Sequence, residues 1–313
     1  MNFNRLKGFL MVISGASLWG ISGTVAQDLF QLKGINMNWL VTVRLLFSGI
    51  LLIGIASLTT KREKVWAVWK DTRLRVQFIL FGILGMLGVQ YTYFASIEAG
   101  NTAVAALLQY LAPLFILLYY VFRNRSFPSR YEVFAILLAL SGTFLLLTNG
   151  SVKNLTVPFN AIIWGILSGI ALAFYTIYSS LLLKKWSSPV VVGWGMIIGG
   201  IGLSFLYPPW RIPNVTWTIE IILYVTFVII FGTLIAFYLY IESLKYISPK
   251  ESSLLGCTEP FVAVIATVLW FQIPFGWYQV FGAIFIIGMV IWLTIMPDLH
   301  VSEKSFKTQK ISS

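Results

Sequence analysis

The stretch ESSLLGCTEPFVAVIATVL, residues 251–269, is the part of the chain from which the fold is inferred. It is long enough to cross a bilayer, since about 20 mainly apolar residues span roughly 30 Å of hydrocarbon. Glu259 and Pro260 nevertheless stand near its middle. An ionisable group at that depth is costly and is usually retained for function. The stretch therefore predicts a membrane helix with a functional carboxylate, provided that the rest of the chain is also embedded in a membrane.

Composition supports that condition. The 313 residues are 58% hydrophobic and only 11% charged, whereas soluble proteins carry about 25% charged residues. The net charge of +11 does not indicate nucleic acid as a partner, because the Lys and Arg residues lie in short loops between apolar runs. Cys257 and His300 are the only residues of their types, so neither a disulfide nor a Cys-based metal cluster can form. We predict an all-α polytopic membrane protein with the lipid bilayer as a partner and without metal or cofactor.

Apolar runs of sufficient length occur ten times. They cover approximately 8–28, 38–58, 76–97, 102–122, 131–149, 159–182, 189–207, 220–244, 251–271 and 277–296. Eighteen of the 22 Lys and Arg residues lie on one side of this arrangement, and three lie on the other, namely Lys33, Lys153 and Arg211. Because cytoplasmic loops hold the excess of basic residues, this distribution predicts ten spans with both termini in the cytoplasm.

The chain also repeats itself. A shift of 147 residues aligns Tyr91, Tyr93, Ser96, Leu107, Leu108 and Pro113 with Tyr238, Tyr240, Ser243, Leu254, Leu255 and Pro260. We therefore expect a first repeat over 1–150, a second over 151–297 and a disordered cytoplasmic tail over 298–313. Because five spans is an odd number, the two repeats are predicted to be inverted relative to each other. Inverted repeats are typical of secondary transporters, whose substrate site lies at the midplane between them.

Enzyme signatures are absent, so we do not predict an enzyme. The glycine pairs Gly165/Gly169 and Gly195/Gly199 are typical of close helix packing, either inside the fold or in a homodimer.

Several polar side chains are predicted to lie deep in the membrane. Trp19, Gln90, Gln109 and Tyr175 are too deep to be interfacial anchors, and a buried polar group needs a partner or water. They either line a cavity or are satisfied inside the core. Together with Tyr240 and Glu259, they are the predicted substrate-binding residues.

Pro113 and Pro260 are equivalent in the two repeats and lie inside spans. Each removes a backbone hydrogen bond and frees a carbonyl about one turn earlier. We predict a hinge or helix break at both prolines, and a static kink is the alternative.

Arg44 lies inside the second span, near enough to the outer end for its side chain to snorkel to the surface. Glu259 lies too deep to snorkel. It must be protonated, hydrated in a cavity, or paired with a donor, and an ion pair between Arg44 and Glu259 is one option.

The chain resembles the drug/metabolite transporter superfamily, in its ten-helix branch of paired EamA domains. The resemblance rests on Leu18-Trp19-Gly20, on Arg44, on the runs 95–113 and 248–252, and on Glu259-Pro260. It implies a central cavity walled by spans 1, 3, 4, 6, 8 and 9, with spans 5 and 10 at the periphery.

The expected function is secondary transport, with export favoured, of small metabolites such as amino acids across the bacterial plasma membrane by alternating access. The alternatives are a membrane scaffold or sensor that does not transport, and a multidrug or cation exporter.

Overall fold

The computed structural model describes residues 3–59, 65–125, 127–151, 155–243, 245–247, 252 and 255–295. Within these ranges the regular elements are helices, and strands are absent. Eight of the described helices are long and apolar enough to cross a membrane, and two shorter apolar helices accompany them. In chain order they are α1 (Phe3–Gln31), α2 (Met37–Thr59), α3 (Thr72–Ala99), α4 (Thr102–Asn124), α5 (Arg130–Thr148), α6 (Phe159–Leu182), α7 (Ser188–Ser204), α8 (Ile219–Tyr240), α9 (Thr258–Phe271) and α10 (Trp277–Ile295).

The prediction of an all-helical membrane protein is thus confirmed, whereas the count of ten crossings stays a prediction. The two short helices, α7 with 17 residues and α9 with 14, are the reason. The predicted start of the ninth span, at residues 251, 253 and 254, lies outside the described residues. The predicted tail over 298–313 lies outside them as well.

Local sequence signals set several helix ends. Asn101 precedes α4, and its side chain accepts a hydrogen bond of 2.9 Å from the backbone nitrogen of Val104, which satisfies one free donor of the first turn. Ser129 and Glu132 form a reciprocal capping box at the start of α5. Asn149, with a φ of 47°, and Gly150, with a φ of 78°, end α5 in the left-handed conformation.

The main helix contacts recur when the two halves are exchanged. α2 packs on its counterpart α7, and α5 packs on its counterpart α10. The pairs α3 with α6 and α4 with α6 recur as α8 with α1 and α9 with α1. This exchange symmetry is the packing expected of two repeats related by a pseudo-two-fold axis.

Irregular backbone recurs at equivalent positions as well. α3 contains a π-helical segment at Phe81–Leu87, and α8 contains one at Ile230–Ile235, which overlap under the shift of 147 residues. α4 is interrupted at Tyr110, and a turn at the equivalent Cys257 precedes α9. Such interruptions are often found at functional places in helices. Their recurrence shows that the two halves share the same helix irregularities at equivalent positions.

The predicted glycine pairs serve packing inside the fold. A Cβ atom on Gly169 would lie 3.0 Å from the Leu108 carbonyl oxygen, and one on Gly199 would lie 2.9 Å from the Gly82 carbonyl oxygen. The first contact brings α6 close to α4, and the second brings α7 close to α3. A homodimer remains a prediction to which these glycines lend no separate support.

Candidate functional site

A cavity of about 460 Å³ lies between the two halves of the molecule. Its size falls in the usual range for small-molecule sites, about 300 to 1,000 Å³. All six residues predicted from the sequence to bind substrate line it, namely Trp19, Gln90, Gln109, Tyr175, Tyr240 and Glu259. The structure thus brings the predicted set together from both repeats, and substrate binding by these residues stays a prediction.

The walls of the cavity differ in part from those implied by the resemblance. α1, α3, α4, α6, α8 and α9 line it as expected. α2 contributes Arg44 and α7 contributes Ser188, Val191 and Val192, which the resemblance did not imply. Of the two peripheral helices, α10 supplies only Val290 to the described lining and α5 supplies nothing. The α2–α7 pair therefore belongs to the site, and the α5–α10 pair supports it from outside.

The cavity extends to one end of the bundle. Its lining includes Leu183 and Ser188, at the connection between α6 and α7, and the Leu183 side chain is 41% exposed. Toward the opposite end the lining stops at Gly23 on α1 and Phe94 on α3. The cavity is therefore open on the side of the α6–α7 connection and covered on the other.

The covered end is held by amide side chains of α1. The Gln27 carbonyl oxygen accepts hydrogen bonds from the Thr102 backbone nitrogen, at 2.9 Å, and from its hydroxyl, at 3.1 Å. The Gln31 amide nitrogen donates to the carbonyl oxygens of Ile97, at 3.1 Å, and Gly100, at 2.8 Å. These bonds tie α1 to the connection between α3 and α4.

Charged groups complete this closed end. The Lys33 ammonium lies 2.8 Å from a Glu220 carboxylate oxygen, which joins the α1–α2 connection to the start of α8. That hydrogen bond raises the pKa of Lys33 above its ordinary value of 10.5. The Trp270 indole nitrogen of α9 faces a carboxylate oxygen of Asp28 at 3.4 Å. We call Gln27, Gln31, Lys33 and Glu220 the end clamp.

Aromatic rings surround the middle of the cavity. The Trp19 ring lies 4.9 Å from Phe237 and 5.2 Å from Tyr240, measured between centroids. Tyr175 stacks on Phe81 at 5.2 Å. The rings give the cavity a mainly apolar wall with a few polar groups on it, which is the usual character of small-molecule sites.

Glu259 lies in the cavity wall with only 8% of its surface exposed. Its carboxylate oxygen is 3.2 Å from the Tyr110 hydroxyl, and that hydroxyl is also 2.5 Å from the Gly256 carbonyl oxygen. A hydroxyl has one hydrogen, and a carbonyl can only accept. When the hydrogen points at Gly256, Glu259 bonds to Tyr110 only as a protonated acid. When the hydrogen points at an ionised Glu259, the Gly256 carbonyl loses its donor.

The predicted helix break at Pro260 explains why Gly256 needs that donor. Pro260 has no backbone N–H, so the carbonyl four residues earlier, at Gly256, lacks its helical partner. Tyr110 from the other repeat supplies the missing hydrogen bond. In α4, Pro113 stands in the first turn after the interruption at Tyr110–Leu111. Both prolines thus lie beside a real break in the helix, and hinge motion at these breaks stays a prediction.

Arg44 does not snorkel, contrary to our expectation. Its side chain is only 4% exposed and points into the protein. The guanidinium lies 4.3 Å above the Phe94 ring, and its Nε donates to the Thr233 hydroxyl at 3.1 Å. The suggested ion pair with Glu259 is not formed in this conformation. The cation–π contact and the hydrogen bond stabilise the buried charge enough for the inward rotamer to be adopted.

Gln109 is held in place by the second repeat. Its amide nitrogen donates to the Ser168 hydroxyl on α6 at 2.7 Å. The amide therefore faces the cavity in a fixed orientation and links the two halves directly.

Two residues at the site were missed by the sequence reasoning as binding candidates. Tyr110 gave no signal, because its repeat counterpart is Cys257 and its acceptor is a backbone carbonyl. Arg44 was recognised as a charge inside a span but was assigned to the surface. Its position two helical turns into α2, which starts at Met37, is compatible with either an outward or an inward side chain and therefore gave no signal.

Comparison with known proteins identifies the relatives of this chain. The profile of the EamA-like transporter family matches residues 6–148 and 159–295, one match in each half. An uncharacterized inner membrane transporter of Salmonella typhimurium, YicL, is 32% identical over 291 residues, covering 92% of this chain and 95% of the relative. An uncharacterized transporter of Bacillus subtilis, YyaM, is 24% identical over 251 residues, covering 77% and 80%.

One solved crystal structure shows the same fold. It superposes with a TM-score of 0.62 over 99% of this chain and 100% of the other, at 17% sequence identity. At that identity the likeness concerns the fold alone.

Proposed function

Because this chain belongs to the EamA-like transporter family, we propose that it is a secondary active transporter that exports small metabolites such as amino acids by alternating access. The observation that carries the proposal is the cavity between the two halves, in which the predicted binding residues of both repeats meet. A membrane scaffold would not need a polar cavity at this depth, since buried polar groups without a ligand are costly. A sensor would bind a ligand there without transporting it, so flux measurements separate it from a transporter.

Alternating access is supported by the duplicated irregularities of the fold. The π-helical segments in α3 and α8 and the breaks beside Pro113 and Pro260 are irregularities at equivalent places in each half, and we propose that they act as hinges. One half can therefore adopt the conformation now held by the other. We propose that this exchange opens the end that the end clamp now covers and closes the opening beside Leu183.

Proton coupling through Glu259 is part of the proposal. The hydrogen bonds that link Glu259, Tyr110 and Gly256 support it, because the direction in which the Tyr110 hydroxyl donates depends on whether Glu259 is protonated or ionised. Loss of the proton draws the Tyr110 hydrogen toward the carboxylate and leaves the Gly256 carbonyl at the helix break without a donor. A change of protonation thus acts directly on the place where the helix is interrupted.

We also propose a location in the bacterial inner membrane, with both termini in the cytoplasm. The relative from Salmonella is described as an inner membrane transporter, and the basic residues of this chain cluster on the side predicted to be cytoplasmic.

Flux measurements in proteoliposomes test the proposal. Purified protein is reconstituted, and counterflow of labelled amino acids, nucleosides and amphiphilic cations is measured between pH 5 and pH 8. We expect flux of at least one amino acid, accelerated by a pH gradient. Glu259→Gln should remove the effect of the gradient, and Gln109→Ala should lower flux at least tenfold because the amide no longer joins α4 to α6.

Glu98→Gln is the matched control, since Glu98 is an exposed acid at the end of α3 outside the lining. It should leave the flux unchanged. Unchanged transport in both Glu259→Gln and Gln109→Ala would contradict the assignment of the site. Ligand binding without flux of any solute would favour a sensor.

One observation favours a second candidate, a multidrug or cation exporter. The rings of Trp19, Phe237 and Tyr240 lie together in the cavity wall that also holds Glu259. Aromatic faces beside a carboxylate suit an organic ammonium group. Flux of amphiphilic cations in preference to amino acids, lost in Glu259→Gln, would select this candidate.

A further inference from the structure

Arg44 is a buried charge without a counter-ion. Its Nη1 atom is buried and has no hydrogen-bond acceptor in the described part of the chain. No carboxylate of the described residues forms an ion pair with it. Its contacts are a neutral hydroxyl, Thr233, and an aromatic face, Phe94. Arginine stays protonated in proteins, so the positive charge persists in a region from which charges are normally excluded.

A second donor without an acceptor belongs to the same part of the cavity wall. The Tyr93 hydroxyl is buried and unpartnered within the described ranges, and the Tyr93 ring lies 5.9 Å from the Phe94 ring, above which the Arg44 guanidinium lies. Both side chains line the cavity. Two side chains of the cavity lining, one of them charged, therefore each carry a buried donor that lacks an acceptor.

We propose that Arg44 and Tyr93 form an anion subsite that holds the carboxylate of the transported solute. This inference rests on the proposed transport function and names its substrate class, a carboxylate with an apolar body. The guanidinium can donate from Nη1 while Nε stays bound to Thr233, and the phenol adds a second donor to the same carboxylate. The surrounding rings accept the apolar part.

The charge balance favours a monoanion over a phosphate. Arg44 is the only cationic side chain among the described residues that line the cavity. While Glu259 in the same lining is protonated, a carboxylate carries one negative charge and is neutralised by one guanidinium, whereas a phosphate dianion would keep an uncompensated charge in a site of low polarity. The subsite therefore selects carboxylates.

Binding of two isosteric probes in detergent solution tests the subsite. The probes are 3-phenylpropionate and its neutral analogue 3-phenylpropanamide, and binding is followed by isothermal titration calorimetry on the full chain. We expect the carboxylate to bind at least tenfold more tightly than the amide. Arg44→Gln should abolish this preference by weakening only the carboxylate, and Tyr93→Phe should reduce it several-fold.

Arg44→Lys is the conservative control, which keeps the charge and should retain part of the preference. Size-exclusion profiles and amide binding verify that each variant is folded. If Arg44→Gln does not fold, Tyr93→Phe carries the test, because the phenyl ring keeps the packing and loses only the hydroxyl.

Three results would overturn the subsite: equal binding of the two probes by the unmodified protein, no binding of the carboxylate, or a preference that survives in both Arg44→Gln and Tyr93→Phe. Counterflow in proteoliposomes separates this outcome from failure of the proposed function. A preference for the carboxylate without flux supports the subsite and contradicts transport. Flux without a preference for the carboxylate supports transport and contradicts the subsite.

Discussion

Tyr110 shows at the scale of a single residue how the two halves depend on each other. It belongs to α4 of the first repeat, but its hydroxyl completes the hydrogen bonding of the broken helix in the second repeat. Its repeat counterpart is Cys257, which has no hydroxyl to make the equivalent hydrogen bond to the first repeat. The symmetry of the fold is therefore broken at the residue that contacts Glu259, and the proton-dependent hydrogen bonding that we propose involves the second-half helix break.

Tyr110→Phe should lower the free energy of unfolding by about 1 to 3 kcal/mol, because the buried Gly256 carbonyl loses its donor. Thermal or denaturant unfolding in detergent measures the change. Tyr120→Phe is the control, since Tyr120 lies on the same helix and packs on Tyr119 outside the cavity lining. Equal stability of the two variants would show that the Tyr110 hydrogen bond adds nothing.

The crossing of α5 and α10 shows what holds the elements outside the cavity together. Gly142 and Gly282 lie against each other's backbone: a Cβ on Gly282 would be 2.7 Å from the Gly142 carbonyl oxygen, and the reverse distance is 2.9 Å. Only residues without a side chain permit so close an approach. The pair thus forms a tightly packed support for the helices that line the site.

Gly282→Ala should destabilise the protein by about 1 to 3 kcal/mol, since the added methyl group forces the two backbones apart. Gly288→Ala, on the same helix, is the control, because no atom lies within 4 Å of a Cβ there. Alanine favours helix over glycine by roughly 1 kcal/mol, so Gly288→Ala should be neutral or stabilising. The melting temperatures of the two variants are measured in the same detergent. A Gly282→Ala protein as stable as the Gly288→Ala protein would show that the close contact between Gly142 and Gly282 does not stabilise the crossing of α5 and α10.

Over the whole molecule, the end clamp and the opening beside Leu183 define one of the two conformations that the proposed alternating access requires. The clamp consists of hydrogen bonds and one exposed ion pair, each of modest strength, because exposed pairs are worth little. The pKa of Lys33 is raised, so its contribution to the clamp is fully present below the pKa of the unfolded chain. It is lost only as the pH rises through the raised value, above 10.5. The Lys33–Glu220 pair of the clamp therefore holds throughout the physiological pH range, and its modest strength agrees with the proposed opening of this end.

Cysteine labelling tests this conformation. In a Cys257→Ser background, Thr176→Cys places a thiol in the cavity near its opening. We expect a membrane-impermeant maleimide to label it in inside-out vesicles and not in intact cells, if the basic side of the chain is cytoplasmic.

Adding Gln31→Ala and Lys33→Ala should increase labelling in intact cells several-fold, because they remove clamp bonds to the α3–α4 connection and to Glu220. Lys185→Ala, at the opposite end, is the charge-matched control and should have no such effect. Labelling from the outside in the protein with an intact clamp would show that the closed end is misidentified.

The sequence by itself determined the class of the fold and the duplication, and it predicted six of the residues that line the cavity. Three properties can be read from the amino-acid sequence alone: the hydropathy, the excess of basic residues on one side and the 147-residue shift. The depth of Glu259 and Gln109 followed from their positions within the apolar runs. Because a buried polar group is costly wherever the helix is placed, that depth marked both residues as candidates for the site.

Only the tertiary structure decided which partners those groups have. Sequence spacing gives the face of a helix but not the helix that it meets, so the Tyr110–Gly256 bond and the end clamp could not be predicted. Arg44 shows the physical reason most clearly. Its distance from the helix end permitted snorkelling, and the choice of the inward rotamer depended on Phe94 and Thr233, which come from two other helices. The energy of a buried charge is set by its neighbours in space, and those are fixed only by the packing.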